Sequence, residues 1–337
     1  MEEADDNNTI KWASIPLTIP TLCRMPREKL NEAIFETSVY ATVKFDGTNV
    51  GRDETGLMYG RNKTIKAGTK AYQKAPLANV EKIDTVAIKK ELLEQTGIAE
   101  DAIETMVVYG ELMCNKGLFR YDEDNLFGTC PIFGAMLKPK NDEAVAEIIE
   151  KLGQAKFACK VRGGHGEEDA DEGPKLIMLL MNQTYKDLVA KLGFPTVPTA
   201  EKLGTFYELV TGNFDFMVNG NAEGLVLVSP SQGSDVQVSK WKIGAEANQT
   251  NKDFLNKMLL EIEDDGPKIF GDNAAKAKDL FSKLYEVAKS QKVVRPEKKA
   301  PEPKKAKGGI SDEDMAKYAE PIKSAKSKFD HCDVYFA

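Results

Sequence analysis

Residues 39 to 49 constrain the fold more than any other stretch of the chain. Val39, Ala41, Val43 and Phe45 alternate with Tyr40, Thr42 and Lys44, the period of a strand with one buried face. Lys44 falls on the face opposite the apolar set. Asp46, Gly47, Thr48 and Asn49 follow at once, and these residue types favour turns. Lys44 is therefore predicted where a strand gives way to a loop, with its amine in reach of a ligand.

Further elements extend the pattern in both directions. Glu28 to Glu36 carries Leu30, Ala33 and Ile34 at helical spacing and leads into the Lys44 strand. Gly56 to Arg61 reads as the second arm of a hairpin, returning Arg61 toward Lys44. Val86 to Gln95 is predicted helical. Thr105 to Leu112, TMVVYGEL, is predicted as a buried strand with Glu111 near its end, and Pro131 to Leu137, PIFGAML, as another strand. A helix over Glu143 to Leu152 precedes a glycine-rich, acidic loop from Arg162 to Gly173. A strand and a helix follow between Leu176 and Lys191, then a proline-bounded loop through Pro195 and Pro198, then a helix near Phe206 to Thr211. Ala222 to Val228, AEGLVLV, places Glu223 at the start of an apolar strand. In Val236 to Ile243, Lys240 and Lys242 share a face with Val238, and two such lysines repel one another unless an anion lies between them.

After Glu246 the texture becomes helical. Phe254, Leu255, Met258, Leu259 and Ile262 mark one apolar stripe, and Ala277, Leu280, Phe281, Leu284 and Val287 a second. Lysine and proline together make Lys292 to Lys307 a solvated tether or a contact for nucleic-acid phosphates. A short helix is predicted from Ser311 toward Phe329. The reading is an α+β chain, with antiparallel sheets flanked by helices over residues 1–245 and a smaller helical, lysine-rich region over residues 246–337.

Composition narrows the chemistry. The net charge of -7 argues against a generally basic nucleic-acid binder, so a polyanion site has to be local. Five scattered cysteines without a Cys-x-x-Cys pair fit reduced thiols rather than disulfides or zinc. With two histidines, a histidine triad or metal cage is not expected, and the chemistry falls to Lys, Arg, Asp and Glu. An acidic N-terminus and the lack of a long apolar run predict a soluble, intracellular protein, cytoplasmic or nuclear, with no membrane contact.

In chain order the singled-out residues are Lys44, Asp46, Asn49, Arg61, Glu111, Phe133, Glu223, Lys240 and Lys242, each on or beside a predicted strand. Taken singly, each has an ordinary reading: Asp46-Gly47 a hairpin turn, Arg61 a surface residue, Phe133 a core residue, Lys240 and Lys242 a solvated face. Together the strings KFDGTN, YGRN, VYGE, PIFGAML, AEGLVLV and SKWKIG, spread over residues 44 to 242, resemble the ordered motifs of the covalent nucleotidyltransferases, which comprise DNA ligases, RNA ligases and messenger-RNA capping enzymes. Asn49 stands where DNA ligases and capping enzymes usually have arginine. This, and helical sequence after Lys242 in place of a small barrel, make the chain similar to ATP-dependent RNA ligases of the RNA-ligase-two and RNA-editing group, although Asp46 stands where that group has histidine.

The resemblance implies that Lys44 attacks ATP to form a lysyl-adenylate, that AMP passes to an RNA 5′-phosphate, and that an RNA 3′-hydroxyl then seals the strand. An attacking amine has to be neutral, which nearby cations favour, so Lys240 and Lys242 take catalytic roles beside Lys44. They also offset charge on the phosphoryl oxygens. Glu223 and Asp46 are the expected ligands of Mg2+ or Mn2+. Asp46, Asn49, Arg61, Glu111 and Phe133 are expected at the nucleotide, with Glu111 on ribose hydroxyls and Phe133 stacked on adenine. The expected partners are RNA ends, and a monomer is the default. A DNA ligase or guanylyltransferase is the alternative enzyme, and an inactive binder of nucleic-acid ends the alternative of another class.

Overall fold

The protein is described by a computed structural model over residues 26–60, 64–65, 77–114, 126–162, 175–212, 223–230, 237–242 and 248–290. Arg61, the loop expected from Arg162 to Gly173 except for Arg162 itself, the Lys292 to Lys307 stretch and the helix expected beyond residue 310 lie outside the described residues. The chain divides after Arg295 into two compact units, and every described residue belongs to the first.

In chain order the elements are α1 (Arg27–Asn31), a π-helical turn (Glu32–Glu36), β1 (Ser38–Lys44), β2 (Thr48–Asp53), β3 (Met58–Gly60), β4 (Thr64–Ile65), α2 (Ala78–Glu81), α3 (Thr85–Thr96), β5 (Ile103–Leu112), β6 (Ile132–Pro139), α4 (Asp142–Gln154), β7 (Ala158–Arg162), β8 (Leu176–Leu180), α5 (Gln183–Lys191), β9 (Gly204–Thr205), α6 (Phe206–Gly212), β10 (Gly224–Val228), β11 (Val238–Lys242), α7 (Asn248–Phe270) and α8 (Ala274–Ser290). Local chemistry sets several of the helix ends. The side chains of Asp84, Asn141 and Asn182 accept from backbone N–H groups in the first turns of α3, α4 and α5 at 3.0 Å. Gly97 closes α3 in the left-handed region, its N–H bonded to Leu93 O at 2.8 Å. None of the helices among the described residues is long and apolar enough to cross a membrane.

The strands form two antiparallel sheets, β11-β10-β1-β9 and β4-β3-β2-β5-β6-β8-β7. Burial orients them. Ala41, Leu225, Leu227 and Trp241 of the first sheet share a core with α1, α6, α7 and α8. Val50, Met106, Val108 and Ile132 of the second share one with α3, α4 and α5. A third cluster lies between the sheets, where Tyr40, Val226, Val228 and Val238 join Tyr59, Val107, Tyr109, Met136 and Met178. The layering is helix, sheet, sheet, helix, as sheets with two apolar faces require. Lys44 and Lys240 sit on the face of the first sheet that is turned to the second, because Ala41 and Trp241 take the other face.

The alternation around Lys44 and the strands carrying Glu111, Phe133 and Lys240 appear where the sequence predicts them, and Glu223 immediately precedes β10. β3 is the expected second arm of a hairpin; its first arm, β2, takes in Thr48 and Asn49, which the sequence reads as turn, because they pair with Leu112 and Glu111. The edge strand β7 does not appear in that prediction. Its five residues show no clean alternation, and they are held by register against β8, Ala158 to Leu180 and Arg162 to Leu176. The two stripes after residue 246 form α7 and α8. The first helix is broken at Asp265 (φ -131°, ψ 17°), two residues before Pro267, which has no N–H to give.

Aromatic contacts tie this helical layer to the first sheet. Phe281 packs on Phe254 and Phe270, with ring centroids 6.2 and 6.0 Å away, and Phe270 in turn packs on Phe35. Phe206 meets Trp241 edge-on at 5.3 Å, and so braces the strand between Lys240 and Lys242. Truncating the fully enclosed Phe281 to alanine removes contacts on both helices. The expected loss of unfolding free energy for Phe281→Ala is about 3–5 kcal/mol, read from denaturant melts.

Candidate active site

Lys44 ends β1. The register places it opposite Gly224 of β10, which lies opposite Lys242 of β11. Strands in a sheet are ~4.8 Å apart, so positions 44 and 242 are separated by roughly 10 Å with a glycine between them. One row further on, Thr42, Val226 and Lys240 face one another in the same order. Of Lys242, the backbone alone is described.

Glu223 immediately precedes β10. Its N–H donates to Lys44 O at 2.7 Å, and its carboxylate forms an ion pair with Lys44 Nζ. Lys44 Nζ also donates to Phe45 O at 3.3 Å. Glu223 is among the few charged residues that are buried (5 % exposed), so this pair is largely withdrawn from water.

The turn after Lys44 carries the chain from the first sheet to the second and brings in Glu111. Gly47 N–H donates to Glu111 Oε1 at 2.8 Å. A Cβ at position 47 would come within 2.6 Å of Leu112 O and 2.8 Å of Glu111 Cγ. The glycine after Asp46 is thus required by close approach, and this bond depends on it. Burial pushes the Glu111 carboxyl up to about 7, a rise that Lys44 and the Gly47 N–H oppose and that Glu223 and Asp46 reinforce.

Asn49 of β2 is opposite Glu111 of β5. Its Oδ1 is buried and has no hydrogen-bond partner among the described residues, which leaves an acceptor that a bound donor could satisfy. Phe133 lies at an irregularity in the sheet. Tyr109 pairs with Gly134 and Gly110 with Ile132, so Phe133 is an extra residue between them. A bulge of this kind re-aims its side chain, and Phe133 is half-buried, packed against the inter-sheet cluster as well as the helix-side core. Gly110 permits the arrangement, because a Cβ there would lie 2.7 Å from Cys130 Sγ and 3.0 Å from Pro131 O.

Of the residues singled out in the sequence, the structure brings Lys44, Glu223 and Glu111 together, with Asp46 in the connecting turn and Asn49 beside Glu111. Phe133 is on the strand next to Glu111, and Lys240 lies across the first sheet from Thr42. Arg61 follows β3 outside the described residues. Gly110 and Gly224 were not singled out. The string VYGE displays the first, but nothing local shows that Cys130 will pack against it. Among the described residues no group of three or more His, Cys, Asp or Glu side chains is placed to hold a metal. A hard divalent cation that keeps water and phosphate oxygens needs fewer protein ligands than that, and Glu223 with Asp46 has the right donor chemistry.

The raised Glu111 pKa has a consequence for stability. Its folded value, about 7, lies above the ordinary 4.5, so the folded state holds the proton more tightly than the unfolded chain. The associated stability is fully present below about pH 4.5 and is lost as pH rises through 7. Glu111→Gln keeps an acceptor for Gly47 without the charge. Its stability relative to wild type is expected to rise by about 3 kcal/mol between pH 4.5 and pH 8, measured by urea melts across that range.

No family model matches the chain, and no curated protein matches it. Among solved structures it is similar to an "Archaeal ATP-dependent RNA ligase" in two forms. Form 2 is 15 % identical over 81 % of this chain and 56 % of that chain, with a TM-score of 0.35. Form 1 is 14 % identical over 82 % and 62 %, also with 0.35. A "Putative ATP-dependent DNA ligase from Aquifex aeolicus" is 15 % identical over 83 % and 63 %, with 0.36. The chain spans 56 to 63 % of the length of these structures. Likeness of this order carries no functional argument, and the site's own residues have to carry it.

Proposed function

We propose that the protein is an ATP-dependent RNA ligase that works through a lysyl-adenylate on Lys44. The observation that supports this most strongly is the convergence of Lys44, Glu223 and Glu111 at one corner of two sheets, where Gly47 can be nothing but glycine. A lysine paired with one buried carboxylate can be a purely structural ion pair. A lysine, two carboxylates and an unpartnered Asn49 acceptor, all beside a half-exposed aromatic, form a polar cluster that packing alone does not require.

In this reading the Lys44 Nζ lone pair forms a bond to the α-phosphorus of ATP. The bond from that phosphorus to the bridging oxygen breaks, pyrophosphate leaves with the electron pair, and the amine gives up a proton to solvent. In the same reading Glu111 and Asn49 accept from ribose or base donors, Phe133 stacks on the face of adenine, and Lys240 and Lys242 meet phosphate oxygens. Mg2+, held by Glu223 and Asp46 with water and phosphate completing its shell, would supply further positive charge at the phosphates. Glu223 pairs with the Lys44 ammonium, and a carboxylate engaged instead by a cation would stabilise that charge less. AMP then passes to an RNA 5′-phosphate and is displaced by an RNA 3′-hydroxyl. The choice of RNA over DNA is supported by Asn49 in place of arginine and by helical rather than barrel-like sequence after Lys242. In this reading the basic stretch Lys292 to Lys307 contacts RNA phosphates.

Incubation with α-labelled ATP and Mg2+ is expected to leave label on the protein, and Lys44→Ala is expected to lower that labelling by at least ~100-fold. Equal labelling of the two proteins would remove Lys44 as nucleophile. The adenylated protein is expected to seal nicked or single-stranded RNA carrying 3′-hydroxyl and 5′-phosphate ends in preference to DNA with the same ends. Preferential sealing of DNA, or labelling by GTP and transfer to 5′-diphosphate RNA, would move the assignment to the other ligase or capping activities.

A further inference from the structure

We infer that residues 195–200 form a strap that sets the distance between the strand carrying Lys44 and the strand carrying Phe133. Its length and stiffness position the nucleotide for attack. The inference rests on the ligase reading above.

β1 and β6 belong to different sheets and do not pair. The strap is hydrogen-bonded to both. At one end Ile132 N–H donates to Pro195 O at 2.8 Å and Val197 N–H to Ile132 O at 3.0 Å, a parallel bridge between Ile132 and Thr196. At the other end Val43 N–H donates to Pro198 O at 2.8 Å and Ala200 N–H to Ala41 O at 2.9 Å, with an antiparallel bridge between Thr42 and Thr199. The residues it grips, Val43 and Ile132, immediately precede Lys44 and Phe133. The turn at 45–47 also joins the sheets, so Lys44 is restrained through the chain that follows it and, by the strap, through the residue before it.

The strap is built to resist stretching. Pro195 and Pro198 have fixed φ and few alternative conformations. Between its two bonded ends, Thr199 Oγ1 donates to Val197 O at 2.9 Å inside the protein, where the Thr199 side chain is buried. Val197 is buried in the same core as Val43, Phe45 and Ile132.

The consequence follows from how the candidate site divides between the sheets. Glu111, Asn49 and Phe133 belong to the second sheet, and Lys44, Glu223 and Lys240 to the first or its border. A nucleotide held by its base and ribose on the second sheet is attacked by an amine on the first. Displacement of one reacting atom by about an ångström can cost on the order of 100-fold in rate without loss of the bound ligand. The strap residues are therefore positioning residues, which act through Val43 and Ile132.

The test uses the full chain with one glycine inserted between Val197 and Pro198, which lengthens the strap by up to ~3.5 Å, and separately Thr199→Val, which removes the internal hydroxyl at nearly constant shape. Two quantities are measured: the single-turnover rate of labelling at saturating ATP, and the Kd of the unreactive α,β-methylene analogue of ATP. The insertion is expected to slow labelling by ~30-fold or more with the analogue's Kd within ~3-fold of wild type, and Thr199→Val to slow it ~5-fold at unchanged Kd. Wild-type labelling rates in both variants would overturn the inference. So would a parallel loss of rate, affinity and thermal midpoint, which marks a merely structural segment. If the insertion does not fold, Thr199→Val decides the matter alone. Wild-type protein that takes up no label would overturn the ligase reading itself, a result distinct from labelled wild type with indifferent strap variants.

Discussion

The contact between Gly47 and Glu111 is the one on which the candidate site depends. It occurs where the chain leaves the first sheet for the second, and it needs a residue without a Cβ, because Leu112 O and Glu111 Cγ occupy the space a side chain would take. The bond ties the turn after Lys44 to the end of β5. Without it the apolar cluster and residues 195–200 would still join the two sheets, but nothing would tie the turn after Lys44 directly to the carboxylate. The short turn also explains why Asp46 bears on Glu111 electrostatically, as it precedes the glycine that makes the bond.

The apolar cluster and the polar corner are two parts of the same design. Tyr40, Tyr59, Val107, Tyr109, Val228 and Val238 fill the space between the sheets along most of their length, and this packing keeps water from the strand faces. At the end occupied by Lys44, charged groups replace them. The cost of burying those groups appears as the raised Glu111 pKa and is offset at Glu223 by the lysine. Such a corner is stable when each charge has a partner, and responsive when a ligand can replace one partner by another.

The outer helices contribute from a distance. Trp241 alternates with Lys240 and Lys242 along β11, so anchoring the indole against Phe206 holds the lysine strand against β10. The rings of Phe254, Phe281, Phe270 and Phe35 are in turn in contact, and Phe35 packs on Tyr207, the residue after Phe206, so aromatic packing continues from α6 to α7 and α8. The helical sequence after residue 246 thus has a part in supporting the first sheet.

Much of this was legible before any coordinates. Period-two alternation identified the strands carrying Lys44 and Lys240, the apolar strings before Glu111 and around Phe133 identified two more, and turn chemistry marked the corner after Lys44, because each of these signals is local. What could not be read depends on partners distant along the chain. Glu223 lies 179 positions from the lysine it pairs with, and only the registry of β1 on β10 joins them. The bulge at Phe133, the edge strand β7, the space between Cys130 and Gly110, and the double attachment of residues 195–200 likewise arise from pairing between segments that carry no local mark of one another. Alternation tells which face a residue occupies. The register of one strand against another, set by packing across the whole sheet, decides which residue it meets there.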